Sequence, residues 1–576
     1  MTFGVNGGVI GPANVSTKQT ASGVWSLGEI AEAERDGIWP EKNECYVLAI
    51  GKTNSYYSGG QENFNTMAVG ASGATYWLMT DSNSNYYGWK INEDGTPATG
   101  NWVNIANYSD GGSGGACTLY ALMVDEATSK AYVTGYAKDN SYSQYWNGGL
   151  IFEFPLDRFT TSNTGITKFY HGDCHWAQQT YYRSMARYKD TDKFIQLGRQ
   201  SNYVGFQTYD MSSTGSSIAQ QSYRLTSSNA QDRSMHAADV DEDDRYWMIG
   251  RMDNGGGFPQ VGLWKAANNN GNVSGGVDYT CWYYQPNNGA YYGAAINMWN
   301  YSGDTSKRAW TSAGVYQHNG YNLWVRPTSL DNPTQQWSVG GVGASGKVFY
   351  KNSGQGSIYF GGQFGDQGNT NQNGGQCMAT DADGNVYIVA SMDAGSSLSY
   401  YVGVFIKMNN LGVVQFIRHF VFTDAEAFQY NTASNKLSTQ ATKIALDETK
   451  QFATISGRAN IGPSNSSSYQ RSFQFRVPMD GSKYGELGTA SDAVPMFGDT
   501  EDWTTSALYF RYWSSTDTNM SSSYRIITTS AGALTQTSRQ QNQGSFSNRT
   551  NFAGNCNNVT SGPYGQWLYP NWGDGT

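Results

Sequence analysis

Short apolar runs alternate with short polar turns along most of this chain, and the alternation repeats one grammar. An apolar run meets a turn rich in Asp, Gly, Asn or Ser, and a second run follows that carries an aromatic among β-branched and small residues. The clearest copy is Met378-Ala-Thr-Asp381-Ala-Asp383-Gly-Asn385-Val-Tyr387-Ile-Val-Ala-Ser391. Residues 121–125 turning into 131–136, and 444–447 turning into 452–456, repeat the phrase; looser copies lie at 185–197, 235–249, 294–315 and 67–80. Period-2 alternation across a short turn predicts a β-hairpin in each copy.

A third run follows every hairpin, with a large apolar residue at its centre: Trp89, Ile151, Phe206, Leu263, Trp324, Phe405 and Phe475. Several of these runs end at turns such as Asn409–Gly412 and Asp480-Gly481, where Gly and Asn supply the positive φ a tight turn needs. A fourth, less regular run comes next, as at residues 412–417. Four antiparallel strands per repeat, returning about seven times, predict an all-β fold built as a β-propeller.

The last repeat is incomplete at the sequence level. Residues 507–515 and 523–530 read as a first and second strand without a third, and residues 44–50 at the other end of the chain offer one. That composite would make eight four-stranded antiparallel blades; without it there are seven. The domain reading is an arm with a short helix at 1–43, the propeller at 44–535, and an extension at 536–576 that closes or decorates the ring.

Composition narrows the class. Gly is 69 of 576 residues, Tyr 41 and Trp 18, while charged residues are 14%. Such a turn-rich, aromatic-rich chain is far from a helical or α/β enzyme. With 37 Lys and Arg against 46 Asp and Glu, net −9, it lacks the concentrated basic surface that phosphate contacts require, which argues against a nucleic-acid partner. The most apolar stretch, residues 413–422, is interrupted by Arg418 and His419, so no membrane span is expected. No basic stretch followed by an apolar one opens the chain, so no signal peptide is expected, and six scattered cysteines read as isolated buried thiols.

Residues 1–24 read as an extended arm. A short helix is expected next, with Ser26 and Glu29 at capping-box spacing, Leu27, Ile30 and Ala31 as its apolar stripe, and Gly37 then Trp39-Pro40 as its stop. The run Gly7-Gly8-Val9-Ile10-Gly11-Pro12-Ala13-Asn14, with Ala21-Ser22-Gly23-Val24-Trp25-Ser26-Leu27 and Trp39-Pro40, resembles a segment of virion proteins of marine tailed bacteriophages. The resemblance spans about 40 residues. It implies a structural protein of the tail or its fibres, made in the host cytoplasm, oligomeric in the particle, and joined to other virion proteins through Trp25, Leu27, Ile30 and Trp39. Plain packing of those aromatics is the alternative.

Four clusters are candidates for site chemistry. His171, Asp173 and His175, with Cys174 between them, carry metal-ligand chemistry, although no helical pattern aligns them. Asp381, Asp383 and Asn385, like Asp239, Asp241, Asp243 and Asp244, could converge on a structural calcium, but positions 392 and 250 are Met and Gly where a calcium loop needs its bidentate Glu; turn closure is preferred and no cofactor is expected. The loop aromatics Trp282, Tyr283, Tyr284, Tyr291 and Tyr292, set among Gln and Asn, suit binding of a host-surface glycan or protein. The chain carries no zinc-protease motif or sialidase box, so an enzyme is not expected. The readings that remain are a tail- or fibre-associated attachment protein, a glycan-degrading virion enzyme, and a purely architectural ring or plug.

Overall fold

A computed structural model describes forty strands, one 3-10 turn at Leu156–Phe159, residues 98 and 211, and the turn residues 70–74, 92–93, 126–129, 160, 188, 191–192, 241–243, 245, 305–307, 330–333, 335–346, 377, 381–385, 409–413, 448–451 and 479–481. Among these residues the fold is all-β. The strands form ten sheets, three of them two-stranded, and the other seven follow one another along the chain as antiparallel meanders, the last of them three strands completed by a strand from near the N-terminus.

The first sheet runs Thr66–Val69, Thr75–Thr80, Asn85–Ile91, Asn101–Tyr108, and the second Cys117–Asp125, Lys130–Asp139, Trp146–Pro155, Lys168–His171. The third is Thr180–Arg187, Lys193–Gln200, Tyr203–Asp210, Ala219–Leu225, and the fourth Ser234–Val240, Tyr246–Asp253, Pro259–Ala266, Thr280–Tyr284. The fifth is Tyr291–Trp299, Arg308–Gln317, Gly320–Ser329, Lys347–Phe349. In the sixth, Ile358–Tyr359 and Met378–Thr380 share the first place beside Val386–Asp393, with Tyr401–Met408 and Val414–Phe420 beyond. The seventh is Thr439–Asp447, Phe452–Asn460, Gln470–Pro478. All seven expected hairpins form, and all seven expected centres lie on third strands.

The N-terminal strand Tyr46–Ile50 pairs antiparallel with Gln470–Pro478 and so supplies the fourth strand of the seventh sheet. It is not the third strand of a separate composite sheet. A continuous apolar run such as Tyr-Val-Leu-Ala-Ile carries no alternation that would distinguish a third strand from an edge strand. Within the other expected half of that composite, Arg525–Ile527 pairs parallel with Asn101–Tyr108 at the edge of the first sheet, and 507–515 lies outside the described residues. Later strands repeat this parallel edge pairing: Ala533–Leu534 on the first sheet, Thr550–Phe552 on the third, Asn557–Val559 on the fourth and Gln566–Leu568 on the fifth. Covering a sheet edge in this way satisfies backbone groups that would otherwise template association with another chain.

Successive sheets pack face against face, the first strand of each lying on the sheet before it. Ala74, Tyr76 and Leu78 of the first sheet bury against Leu119, Leu122, Val133, Phe152 and Phe154 of the second. Tyr132 and Ile151 of the second meet Met185 and Phe194 of the third, and Trp247, Ile249 and Leu263 of the fourth meet Ile296, Ala309 and Trp324 of the fifth. The seventh sheet in turn touches the first: Trp77 Nε1 donates to Gln474 Oε1 at 2.6 Å, and Arg476 Nη1 to the Glu93 carbonyl at 3.0 Å. Trp77, Trp89, Trp247, Trp310 and Trp324 are among the largest side chains fully removed from water.

Candidate functional site

The first-to-second-strand turns come in two kinds. In the sixth sheet, the Asp381 amide donates to the Asn385 carbonyl and Gly384 takes φ +80°. The Asp381 carboxylate accepts Asn385 N and Nδ2, each at 2.8 Å, and the Tyr387 hydroxyl at 3.1 Å. In the second and seventh sheets the turn reads Asp-Glu-x-x-x, with Asp125 accepting Thr128 N, Asp447 accepting Lys450 N, and Ser129 and Gln451 at φ +56° and +60°. Asp and Asn closing a turn through their own backbone is what makes these residues frequent there.

This arrangement bears directly on the calcium candidates. Asp381 holds its own hairpin together, while Asp383 is exposed and its carbonyl accepts Asn410 Nδ2. In the fourth sheet, Asp239 takes Val240 N and Met298 N, Asp241 takes Arg245 N and Trp247 Nε1, and Asp243 pairs with Lys307 and Arg245. Those carboxylates are aimed at three different sets of donors and do not converge. Among the described residues no group of three His, Cys, Asp or Glu side chains is placed to hold a metal. His171 ends a strand of the second sheet; Asp173 and His175 lie outside the described residues.

The turn acids also join neighbouring sheets, a role that sequence reasoning missed. Glu126 of the second sheet accepts Ser72 N at 2.6 Å, Ser72 Oγ at 2.7 Å and the Tyr76 hydroxyl at 2.8 Å from the first. Asp192 of the third accepts Lys130 Nζ at 2.7 Å and the Tyr132 hydroxyl at 2.5 Å from the second, and Arg187 reaches back to Asp125 at 2.8 Å. Trp299 and Trp310 of the fifth donate to the Ala382 and Gly384 carbonyls of the sixth, and Glu448 of the seventh accepts Ala382 N. Burial, and then the acid each one bonds, push the phenols of Tyr76, Tyr132 and Tyr387 above their ordinary range. Desolvation would raise Glu126, but the Ser72 and Tyr76 donors outweigh it and hold its carboxyl below the usual range. The signal available in sequence was an aromatic with a polar atom at the second or third position of four second strands, Tyr76, Tyr132, Trp247 and Tyr387, paired with an acid in a turn.

A convergent pair of acids with displaced titration would be the mark of glycoside cleavage. Asp239 is displaced, to about 6, but its cause is structural: it lies deep among protein atoms though its residue keeps a little exposure, and desolvation outweighs its two backbone donors, with Asp241 adding a like charge. Held by Met298 N at 2.8 Å, it fastens the fourth sheet to the fifth.

The loop aromatics fall on two successive sheets. Trp282, Tyr283 and Tyr284 end the last strand of the fourth sheet, and Tyr291 and Tyr292 open the first strand of the fifth, so the segment between them is the crossing from one sheet to the next. Trp25, Leu27, Ile30 and Trp39 lie outside the described residues, as does the expected helix; Val15–Ser16 and Ala21–Ser22 of the arm pair antiparallel.

No family model matches the chain, and no curated protein matches it. Among solved structures, the chain is similar to the Dos1 propeller, at 9% identity over 75% of this chain and 95% of that one, TM-score 0.33. It is similar to the tail fibre of Staphylococcus aureus phage P68, at 12% identity over 76% and 95%, TM-score 0.22. It is also similar to an exo-beta-1,3-galactanase from Clostridium thermocellum, at 11% identity over 74% and 96%, TM-score 0.25. No described helix is long and apolar enough to cross a membrane.

Proposed function

We propose that the seven sheets are the blades of one β-propeller, and that this body is a tail- or fibre-associated structural protein of a phage particle that contacts the host surface. The observation that carries the reading is the neighbour order of the sheets: each packs on the next, the seventh meets the first through Trp77–Gln474 and Arg476–Glu93, and the N-terminal strand Tyr46–Ile50 belongs to the seventh sheet while the chain continues into the first. A series that returns to its start with its ends stapled together is how a propeller closes. The arm then leaves the body from the closing strand, a placement suited to displaying the ring from a larger assembly.

The turn-bearing end has its acids and cations engaged between sheets, which favours the opposite end, with Trp282–Tyr284 and Tyr291–Tyr292, as the recognition face. Binding would be multivalent, many weak contacts on one particle adding up through effective concentration. The virion assignment itself rests on the arm's resemblance and is tested by imaging purified particles with gold-labelled antibody against residues 300–478. Label at fibre tips or the tail end is the expected result. Label confined to neck or tube would make the ring architectural, and the absence of label from every particle would overturn the virion reading.

A further inference from the structure

In each of the seven sheets one position sits three or four residues before the last residue of the first strand: Thr66, Ala121, Ser184, Ala237, Ala295, Cys377 and Lys443. Six are small. The register shows why small residues suit this place: in the second, third, fourth, fifth and seventh sheets the first strand is bulged immediately before it, at Leu119/Ala121, Tyr182/Ser184, Met235/Ala237, Gly293/Ala295 and Ala441/Lys443. A bulge bends the strand toward its neighbour, and bulges are recurrent, purposeful features. Only the seventh sheet places a four-carbon amine there.

Lys443 is 1% exposed, and its Nζ has no hydrogen-bond partner among the described residues. It lies across from Ser456, which lies across from Gln474, so all three share one face, and Gln474 accepts the Trp77 indole of the first sheet. That face also carries Thr454 and Arg476, both buried. The junctions between sheets one and two, two and three, and four and five are filled with aromatic and aliphatic side chains, whereas the seventh sheet meets the first with polar ones. On the first sheet Thr75 is likewise buried with its hydroxyl unpartnered. The covalent link across this seam is residues 51–65, between the closing strand and the first sheet.

The charged groups around the seam are accounted for. On the seventh sheet Asp447 pairs with Arg476 at 2.7 Å, and Lys450 pairs with Glu93 of the first. Thr66–Val69 and Thr75–Thr80 bring no acid; Tyr76 points to the second sheet and bonds Glu126. From the sixth sheet, on the opposite face, Lys407 bonds the Met479 carbonyl and Asp381 its own turn. No described carboxylate is left to pair with Lys443. Burial holds its amine well below the ordinary lysine range.

We infer that the seam between the seventh and first sheets is the ring's opening point, kept shut by Lys443 as a neutral amine and released when Lys443 takes up a proton. The inference rests on the ring reading above. Opening exposes the amine to water, where it protonates, so each opening event binds one proton. Between the folded and solvent-exposed titration points the opening equilibrium then rises about tenfold for each unit the pH falls.

The test is native-state hydrogen exchange of the full chain from pH 9 to 6, corrected for intrinsic rates, comparing the Trp77 indole N–H, whose bond to Gln474 crosses the seam, with the Trp310 indole N–H, whose bond crosses from the fifth sheet to the sixth. The Trp77 indole in the wild type is expected to open about tenfold more for each unit the pH falls between those two titration points, with the control flat. Lys443→Met, close in volume and without charge, is expected to abolish the slope; Lys443→Ala serves if that variant fails to fold, since alanine stands at this position in three other sheets. A Lys443 side-chain titration by NMR at the ordinary lysine value, or an unchanged slope in the variants, would overturn the inference. Trp77→Phe separates the two readings: if it loosens Gln470–Pro478 at every pH, the seam exists and only the role of Lys443 is at stake.

Discussion

Gly384 adopts φ +80°, where an L-residue pays about 1–2 kcal/mol, and a Cβ there would also overlap the Trp299 indole. Trp299 cannot retreat without losing its hydrogen bond to the Ala382 carbonyl and with it the joint between fifth and sixth sheets. Gly340, at φ +57° on the tip of an exposed hairpin, has nothing within 4 Å of its would-be Cβ. Gly340→Ala is therefore expected to cost about 1 kcal/mol and Gly384→Ala about 3 kcal/mol or more, measured by urea unfolding; equal costs would mean the Trp299 contact contributes nothing. Asp239 offers a second test. Its folded-state titration near 6 lies above the unfolded value of roughly 4, so its contribution to stability is complete below that lower value and is lost as pH rises through 6. Asp239→Asn, uncharged throughout, should remove on the order of 2–3 kcal/mol of relative destabilisation between pH 4.5 and 8, read as the difference between wild-type and variant urea midpoints. A constant difference across that range would contradict the assignment.

At the scale of the element, the hairpins were legible because alternation, turn composition and a central large residue coincide in each copy; Trp89 through Phe475 all fall on third strands. The two turn kinds were partly legible. Asp381-Ala-Asp383-Gly384-Asn385 advertises its positive φ with glycine, whereas the Asp-Glu turns place Ser129 and Gln451 in the left-handed region with no such sign. Ser129→Gly is accordingly expected to stabilise the fold by about 0.5–1 kcal/mol, checked by thermal unfolding. Gln451→Gly should gain less, because Gln451 Nε2 donates to the Glu448 carbonyl and glycine forfeits that bond. Residues 44–50 were legible as a strand joining the far end of the chain, but not their place as a fourth strand beside Gln470–Pro478, nor the parallel edge pairing of Arg525–Ile527 and the later strands, because such pairing imposes backbone geometry without a side-chain period. Lys443 was visible all along as the one large residue in a column of small ones, but only the register turned a column into a junction.

At the scale of the whole molecule, the chain's start and the last sheet's end are one structural unit, which makes the boundary of the arm testable. Removing residues 1–43 leaves the closing strand in place, so the body should keep its unfolding midpoint. Removing residues 1–50 takes away the five residue pairs between Tyr46–Ile50 and Gln470–Pro478. At about 0.5 kcal/mol per cross-strand pair, that deletion should destabilise the body by roughly 2 kcal/mol. It also bares the Gln470–Pro478 edge, so self-association should rise with concentration. Protection from hydrogen exchange should fall first in Gln470–Pro478 and Phe452–Asn460, and last in the third and fourth sheets, which lie farthest from the break. If both truncations unfold alike, the arm is part of the folded body; if neither changes protection in the seventh sheet, that sheet is held by its contacts with neighbouring sheets alone and the closing strand is an ornament.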